Sequence, residues 1–199
     1  MPRRAHPFRA GGSYHVYNRG NNRQPVFRSD SDYRAFLQAI RCYFDIPLAH
    51  ADGSPGATLL AYCLMPNHYH LVLQPEDDDL SARMQRMLIS FTKTINAKYG
   101  RVGALFQGQF QAVAVETDEQ LIHLIAYVHC SPVQAGLVRR PDDWEYSSCR
   151  EYLGARPGTL PRPDTVLELC GGRRAYSLLL LRSTAGDRLD GIEHLVLEG

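Results

Sequence analysis

A chain of 199 residues with 44% hydrophobic side chains and a formal net charge of +1 carries enough apolar material for one domain with a proper core, plus an appendage. No apolar run nears the roughly 18 residues of a membrane span and no charged-then-apolar leader opens the sequence, so a cytoplasmic location is the expectation. Five widely spaced cysteines (Cys42, Cys63, Cys130, Cys149 and Cys170), an odd number without a Cys-x-x-Cys pair, argue against a disulfide frame or zinc knuckle and for buried thiols.

The near-neutral balance is unevenly spread. No acidic residue precedes Asp30, whereas Arg3, Arg4, Arg9, Arg19, Arg23 and Arg28 all do. Nearly all the basic residues are arginine, whose guanidinium forks onto phosphates and guanine edges. A polyanion partner fits this stretch, and so does a plain basic tail with ordinary surface arginines. In chain order, Tyr14 to Asn18 alternates like a short strand, and Arg19-Gly20-Asn21-Asn22-Arg23 reads as a polar turn. Ser29 or Ser31 caps a helix with Tyr33, Phe36, Leu37, Ile40 and Phe44 on one face. A loop from Pro47 to Gly56 leads to a hairpin of Leu59 to Leu64 and His68 to Leu73. Leu80, Met84, Met87, Leu88, Phe91 and Ile95 recur at helical spacing until Gly100.

Phe110 to Val115 gives a fourth strand, and Thr117-Asp118-Glu119-Gln120 matches a capping box at the start of a further helix. Its stripe is Leu121, Leu124, Ile125 and Val128, and Pro132 should end it near Cys130 or Ser131. Strand, helix, hairpin, helix, strand, helix makes an α+β layer: a mostly antiparallel sheet with helices packed on one face. Beyond Leu153 the pattern loosens. Residues 1–154 read as the domain and 155–199 as a loosely structured, partly helical extension, with one or two short helices between Thr165 and Leu181 and a mobile end.

Two positions carry possible chemistry. His68 and His70 lie two apart on a strand and share a face, roughly 7 Å apart along it, while Tyr69, Leu71 and Leu73 take the other face. The pair is either a half-site for a divalent metal or two unrelated surface histidines. Tyr127 sits on the flank of its helix stripe, where an amphipathic rim residue also belongs, and Ser131 shares that flank one turn later. His15, His123 and Trp144 read as structural, and Tyr14 and Tyr17 either pack or stack bases.

The segment Pro66-Asn67-His68-Tyr69-His70-Leu71, the run Tyr127-Val128-His129 with Pro132-Val133 and Ala135-Gly136-Leu137-Val138, and Trp144-Glu145-Tyr146-Ser147-Ser148 resemble the single-tyrosine HUH (IS200-like) transposases. They resemble most the branch of REP-associated tyrosine transposases, as do Tyr14 to Asn22 and Leu105 to Phe110; the likeness spans roughly Gly12 to Gly154. It implies a ferredoxin-like or RRM-like sheet and a catalytic Tyr127 on a helix facing the histidine pair. It also implies a divalent metal, Mg²⁺ or Mn²⁺, on His68 and His70, and strand nicking and transfer through a 5′-phosphotyrosine. The partner would be DNA, as a single strand, hairpin or palindromic repeat; the charge and amide groups of the basic N-terminal stretch, rather than the resemblance, point to Arg3, Arg4, Arg19, Asn21 and Arg23 as its contacts, and monomer and homodimer both stay open. In the family an amide residue one turn after the tyrosine completes the metal shell. Here that place is Ser131, a poorer donor, which His129 or water would supplement. This departure keeps open a protein that binds DNA hairpins with weakened or lost catalysis.

Overall fold

The computed structural model describes residues 8–44, 46, 56–184 and 192. Among these residues four strands and six α-helices follow in order: β1 (Ser13–Arg19), α1 (Asp30–Tyr43), β2 (Ala57–Met65), β3 (His68–Pro75), α2 (Leu80–Tyr99), β4 (Gln111–Val115), α3 (Asp118–Gln134), α4 (Cys149–Leu153), α5 (Asp164–Leu169) and α6 (Arg173–Thr184). The strands form one sheet in the order β2-β3-β1-β4, antiparallel at every described pairing. A β-α-β-β-α-β sequence in that order is the ferredoxin-like arrangement. The β2–β3 hairpin is tight, because Met65 pairs with His68 and only Pro66 and Asn67 make the turn.

Alternation along the strands divides the core. Tyr14 and Val16 of β1 join Tyr69, Leu71 and Leu73 of β3 beneath α1 and α2, which contribute Phe36, Ile40, Met84, Phe91 and Ile95. Each such side chain contributes roughly 1.5–3 kcal/mol by leaving water. Ala61, Cys63, Met65 and Val72 point the other way and pack with Leu121, Leu124, Ile125 and Val128 of α3, together with Tyr152, Val166 and Tyr176. Helices therefore cover both faces, where the sequence pattern placed them on one. The reason is α3: its apolar stripe needs a partner, and the first face is already filled by α1 and α2.

Helix ends follow their chemistry. The Thr117 hydroxyl accepts the Gln120 amide at 3.2 Å and starts α3. The helix runs on through Pro132 to Gln134, past the end expected from the proline. A proline in the last turn removes only one backbone donor. The next turn is closed by Ala135 N–H on the Ser131 carbonyl (3.0 Å) and Gly136 N–H on the Val133 carbonyl (2.9 Å), with Gly136 at φ 68°. Two helices, α5 and α6, occupy the stretch expected to hold one or two; Val166 and Leu167 seat the first in the second core, Tyr176 and Leu180 the second. Arg3 and Arg4, and the C-terminal end apart from Ile192, lie outside the described residues. Among the described residues no helix is long and apolar enough to cross a membrane.

Candidate active site

Three elements converge on the second face of the sheet. β3 brings His68 and His70, whose rings lie 4.9 Å apart at 89°. β1 pairs Arg19 with His68 and Tyr17 with His70. α3 brings Tyr127, whose ring meets His70 edge-on at 5.9 Å and 82°. The flank position of Tyr127 on its helix is what allows this: the stripe centred on Leu124 and Val128 is buried, and the tyrosine at its margin reaches sideways toward β3.

Both histidines are held neutral. Burial, and then the Arg19 charge, lower His68 to about 4. Burial does the same to His70, helped by His15, His68 and Arg19, and takes it well below the ordinary imidazole value. The Asn67 amide donates to the Arg23 carbonyl at 3.2 Å, which turns its Oδ1 toward His68 Nδ1 at 2.7 Å. An acceptor there fixes the proton on Nδ1 and leaves Nε2 bare. Two neutral imidazoles on one rigid strand fit a divalent metal, and these residues could hold one. Among the described residues no group of three or more His, Cys, Asp or Glu is placed to share an ion, so other oxygen donors would complete the shell.

The two residues considered for that completion fare differently. Ser131 is buried and its hydroxyl donates back to the Tyr127 carbonyl at 3.0 Å, a bond within its own helix. His129 is no ligand. It is fully buried, with Nδ1 2.6 Å from the Tyr176 hydroxyl and Nε2 2.7 Å from the Ser148 hydroxyl. Its position two residues past Tyr127 turns it from the site into the second core. Burial lowers its pKa to about 3. Unfolding restores an ordinary imidazole near 6.5, so below that pH the unfolded chain binds a proton the folded chain refuses. Stability should be complete above about pH 6.5 and fall on acidification toward about pH 3, by about 1.4 kcal/mol per unit from this group. Urea unfolding between pH 7 and 5 checks this: His129→Asn should be weaker at pH 7 but show a shallower pH slope, and equal slopes would refute it.

The polar turn after β1 wraps the hairpin that carries His68. Gly20 N–H donates to the Asn67 carbonyl at 2.7 Å, and a Cβ on Gly20 would collide with the Gln24 carbonyl. Asn22 and Arg23 adopt positive φ of 52° and 58°, so the turn is tighter than the sequence suggested. Arg19 stands on the histidine face, with Asn21 and exposed Arg23 just beyond it. A cleft of about 370 Å³ opens beside them, lined by Tyr17, Asn18, Arg19, Gln107, Gln109 and Gln111. Its rim is held by Asn18 Nδ2 on the Gly108 carbonyl (3.1 Å) and Gln107 N–H on the Arg19 carbonyl (2.9 Å). The Trp144 to Ser148 segment serves the scaffold, with Trp144 Nε1 on the Leu64 carbonyl (3.0 Å) and the Tyr62 amide on Ser148 Oγ (2.9 Å).

Residues 10–131, more than half of the chain, match the family described as Transposase IS200 like. The chain belongs to that family. It is similar to a protein of Haemophilus influenzae assigned to the REP-associated tyrosine transposases, 31% identical over 45% of this chain and 57% of that protein. It is similar also to the REP-associated tyrosine transposase of Escherichia coli K12, 28% identical over 59% of this chain and 69% of the relative. The chain thus spans little more than half the length of the first of these relatives. A solved REP-associated tyrosine transposase bound to a REP hairpin superposes with a TM-score of 0.59 and 22% identity, over 79% of this chain and 89% of that one, which establishes the shared fold.

Within this IS200-like domain, His15, a structural residue by the sequence pattern, stands beside the histidine pair. It is fully buried, with Nε2 3.0 Å from His70 Nδ1. The signal was the alternation His15, Tyr17, Arg19 along β1; that this face meets the His68 face depends on register, which a single strand does not declare.

Proposed function

We propose that the protein is a metal-dependent transposase-like enzyme that nicks and rejoins single-stranded DNA at hairpin or palindromic sites, with Tyr127 as the nucleophile. The observation that carries this reading is the perpendicular approach of Tyr127 to His70, with His68 on the same strand face. The relatives' names and the hairpin held by the structural neighbour support a DNA hairpin as substrate. A divalent ion, Mg²⁺ or Mn²⁺, on His68 and His70 would supply Lewis-acid polarisation of the scissile phosphate.

The chain's own residues do the rest. His68 and His70, neutral at pH 7, hold their positions without first losing protons. Arg19, on the same face, meets phosphate charge, and the turn with Asn21 and Arg23 is placed to contact the strand next to it. Tyr127 Oη, its proton passed to solvent, bonds to phosphorus as the 3′ oxygen leaves, giving a 5′-phosphotyrosine. One ester replaces another, so the bond energy is kept and the strand can be rejoined without ATP. The cleft beside Tyr17 and Arg19 suits the unpaired strand leading into the site. The test is covalent trapping: a hairpin oligonucleotide labelled on the 5′-phosphate side of its single-stranded foot should give a protein adduct that survives denaturation, and no adduct in either metal would refute the reading.

Ser131 favours a second reading, a hairpin-binding protein with weakened catalysis, because its short hydroxyl is already bonded to the Tyr127 carbonyl. Ser131→Asn restores an amide oxygen one turn from Tyr127 and should keep or raise cleavage by several-fold. Metal titrations of cleavage decide it: equal metal dependence in wild type, Ser131→Asn and Ser131→Ala would show that position 131 is no ligand. Arg19→Ala should weaken binding to cognate hairpins more than to scrambled ones, by about tenfold. Equal losses on both in a salt series would leave Arg19 a bulk charge only.

A further inference from the structure

Every imidazole that holds a metal has a second nitrogen, and the partner of that nitrogen sets ring orientation and tautomer. For His68 the partner is Asn67, in the turn of the hairpin. For His70 it is another histidine. His15 Nε2 lies 3.0 Å from His70 Nδ1, the rings stacked at 5.2 Å and 18°, and both side chains are buried. On β1, His15 stands between apolar cross-strand neighbours, Val72 on β3 and Val113 on β4, with the Tyr17 ring 4.8 Å away. A buried imidazole costs free energy that an aliphatic residue there would not, so its hydrogen bond to His70 calls for a role. Two neutral rings share one proton across this contact. If His70 Nδ1 donates, its Nε2 is left as a bare lone pair; if His15 donates, His70 Nε2 carries a proton and cannot bind a cation.

We propose that His15 is the positioning residue of His70: its Nε2 accepts the His70 Nδ1 proton, locking the ring in the tautomer whose Nε2 is free to hold the metal. This inference rests on the metal reading given above. Asn67 and His15 then play one part on two ligands, an acceptor on each Nδ1. The His15 arm is the rigid one, buried inside the sheet.

The test uses the whole protein, Mn²⁺ as probe and two readouts other than cleavage. Imidazole ¹⁵N NMR should show His70 protonated on Nδ1 and unprotonated on Nε2. Mn²⁺ affinity by electron paramagnetic resonance should fall about 10- to 100-fold in His15→Phe, which fills the space without an acceptor. His15→Gln, whose side-chain carbonyl can take the same bond, should recover most of the loss. A proton on His70 Nε2 in the wild type, or wild-type Mn²⁺ affinity in His15→Phe, would overturn the proposal and leave the metal reading standing. Wild-type protein that binds no Mn²⁺ would sink that reading and this inference with it. Should His15→Phe fail to fold, the wild-type tautomer and the His15→Gln affinity decide the matter.

Discussion

Tyr127→Phe should abolish covalent attachment to DNA and lower cleavage by about 10⁴-fold or more, while hairpin affinity stays within a few-fold of wild type. The substitution deletes one oxygen. The phenyl ring still meets His70 edge-on and still closes the margin of the α3 stripe, which preserves the packing at that margin. A built-in control sits beside it. Tyr17 also faces His70, at 6.4 Å, and is a second phenol placed where it could attack a phosphate. Burial raises its pKa, which keeps its oxygen protonated and a weak nucleophile, and its strand fixes it in the sheet. Tyr17→Phe should therefore keep the adduct. Denaturing gels with a hairpin labelled on the 5′-phosphate side compare both variants directly. An adduct that survives Tyr127→Phe and vanishes in Tyr17→Phe would move the nucleophile to β1; one that survives both would remove both phenols facing His70 as the nucleophile.

How much of this was legible in the chain depends on whether the decisive information was local. The strand-helix-hairpin-helix-strand order is written in short-range periodicity, and so is the shared face of His68 and His70, because a strand's side chains alternate wherever it lies. Tyr127 was legible as a flank residue, and the family resemblance supplied what it faces. His15 was not, since its partner lies 55 residues away and only the β1–β3 register brings them together. His129 failed for a related reason. Its nearness to Tyr127 pointed to the metal shell alone, and the Tyr176 hydroxyl that claims it comes from α6, in a stretch of loose sequence pattern. Pro132 misled because a proline's cost depends on how many turns follow it. The second helical layer was legible only through the resemblance, which sets Tyr127 on a helix facing the histidine pair; periodicity fixes the α3 stripe without fixing the face of the sheet it covers.

His68→Ala and His70→Ala should both remove metal-dependent cleavage, by about 10²-fold or more, yet differ in what they do to the fold. His68 stands at the start of β3 beside the turn, partly exposed, and its Nδ1 bond goes to a neighbouring asparagine that water can serve as well. Losing it should barely move the melting temperature. His70 is fully enclosed, and removing it leaves His15 Nε2 facing a void. An orphaned buried polar atom costs about 1–3 kcal/mol, which for a chain of this size lowers the melting temperature by roughly 2–12 °C. His70→Asn, which keeps a donor toward His15, should recover part of that stability without recovering cleavage. This split separates a metal role from a structural one, since a purely structural pair would lose activity only in step with stability. Chelation of the wild type should reproduce the activity loss of His68→Ala, with Mg²⁺ or Mn²⁺ restoring it and neither ion rescuing the variants. The two activities and two melting curves are the measurement. If both alanine variants cleave a hairpin at wild-type rates with either metal, the histidine pair is not a metal site and the reaction must run without it.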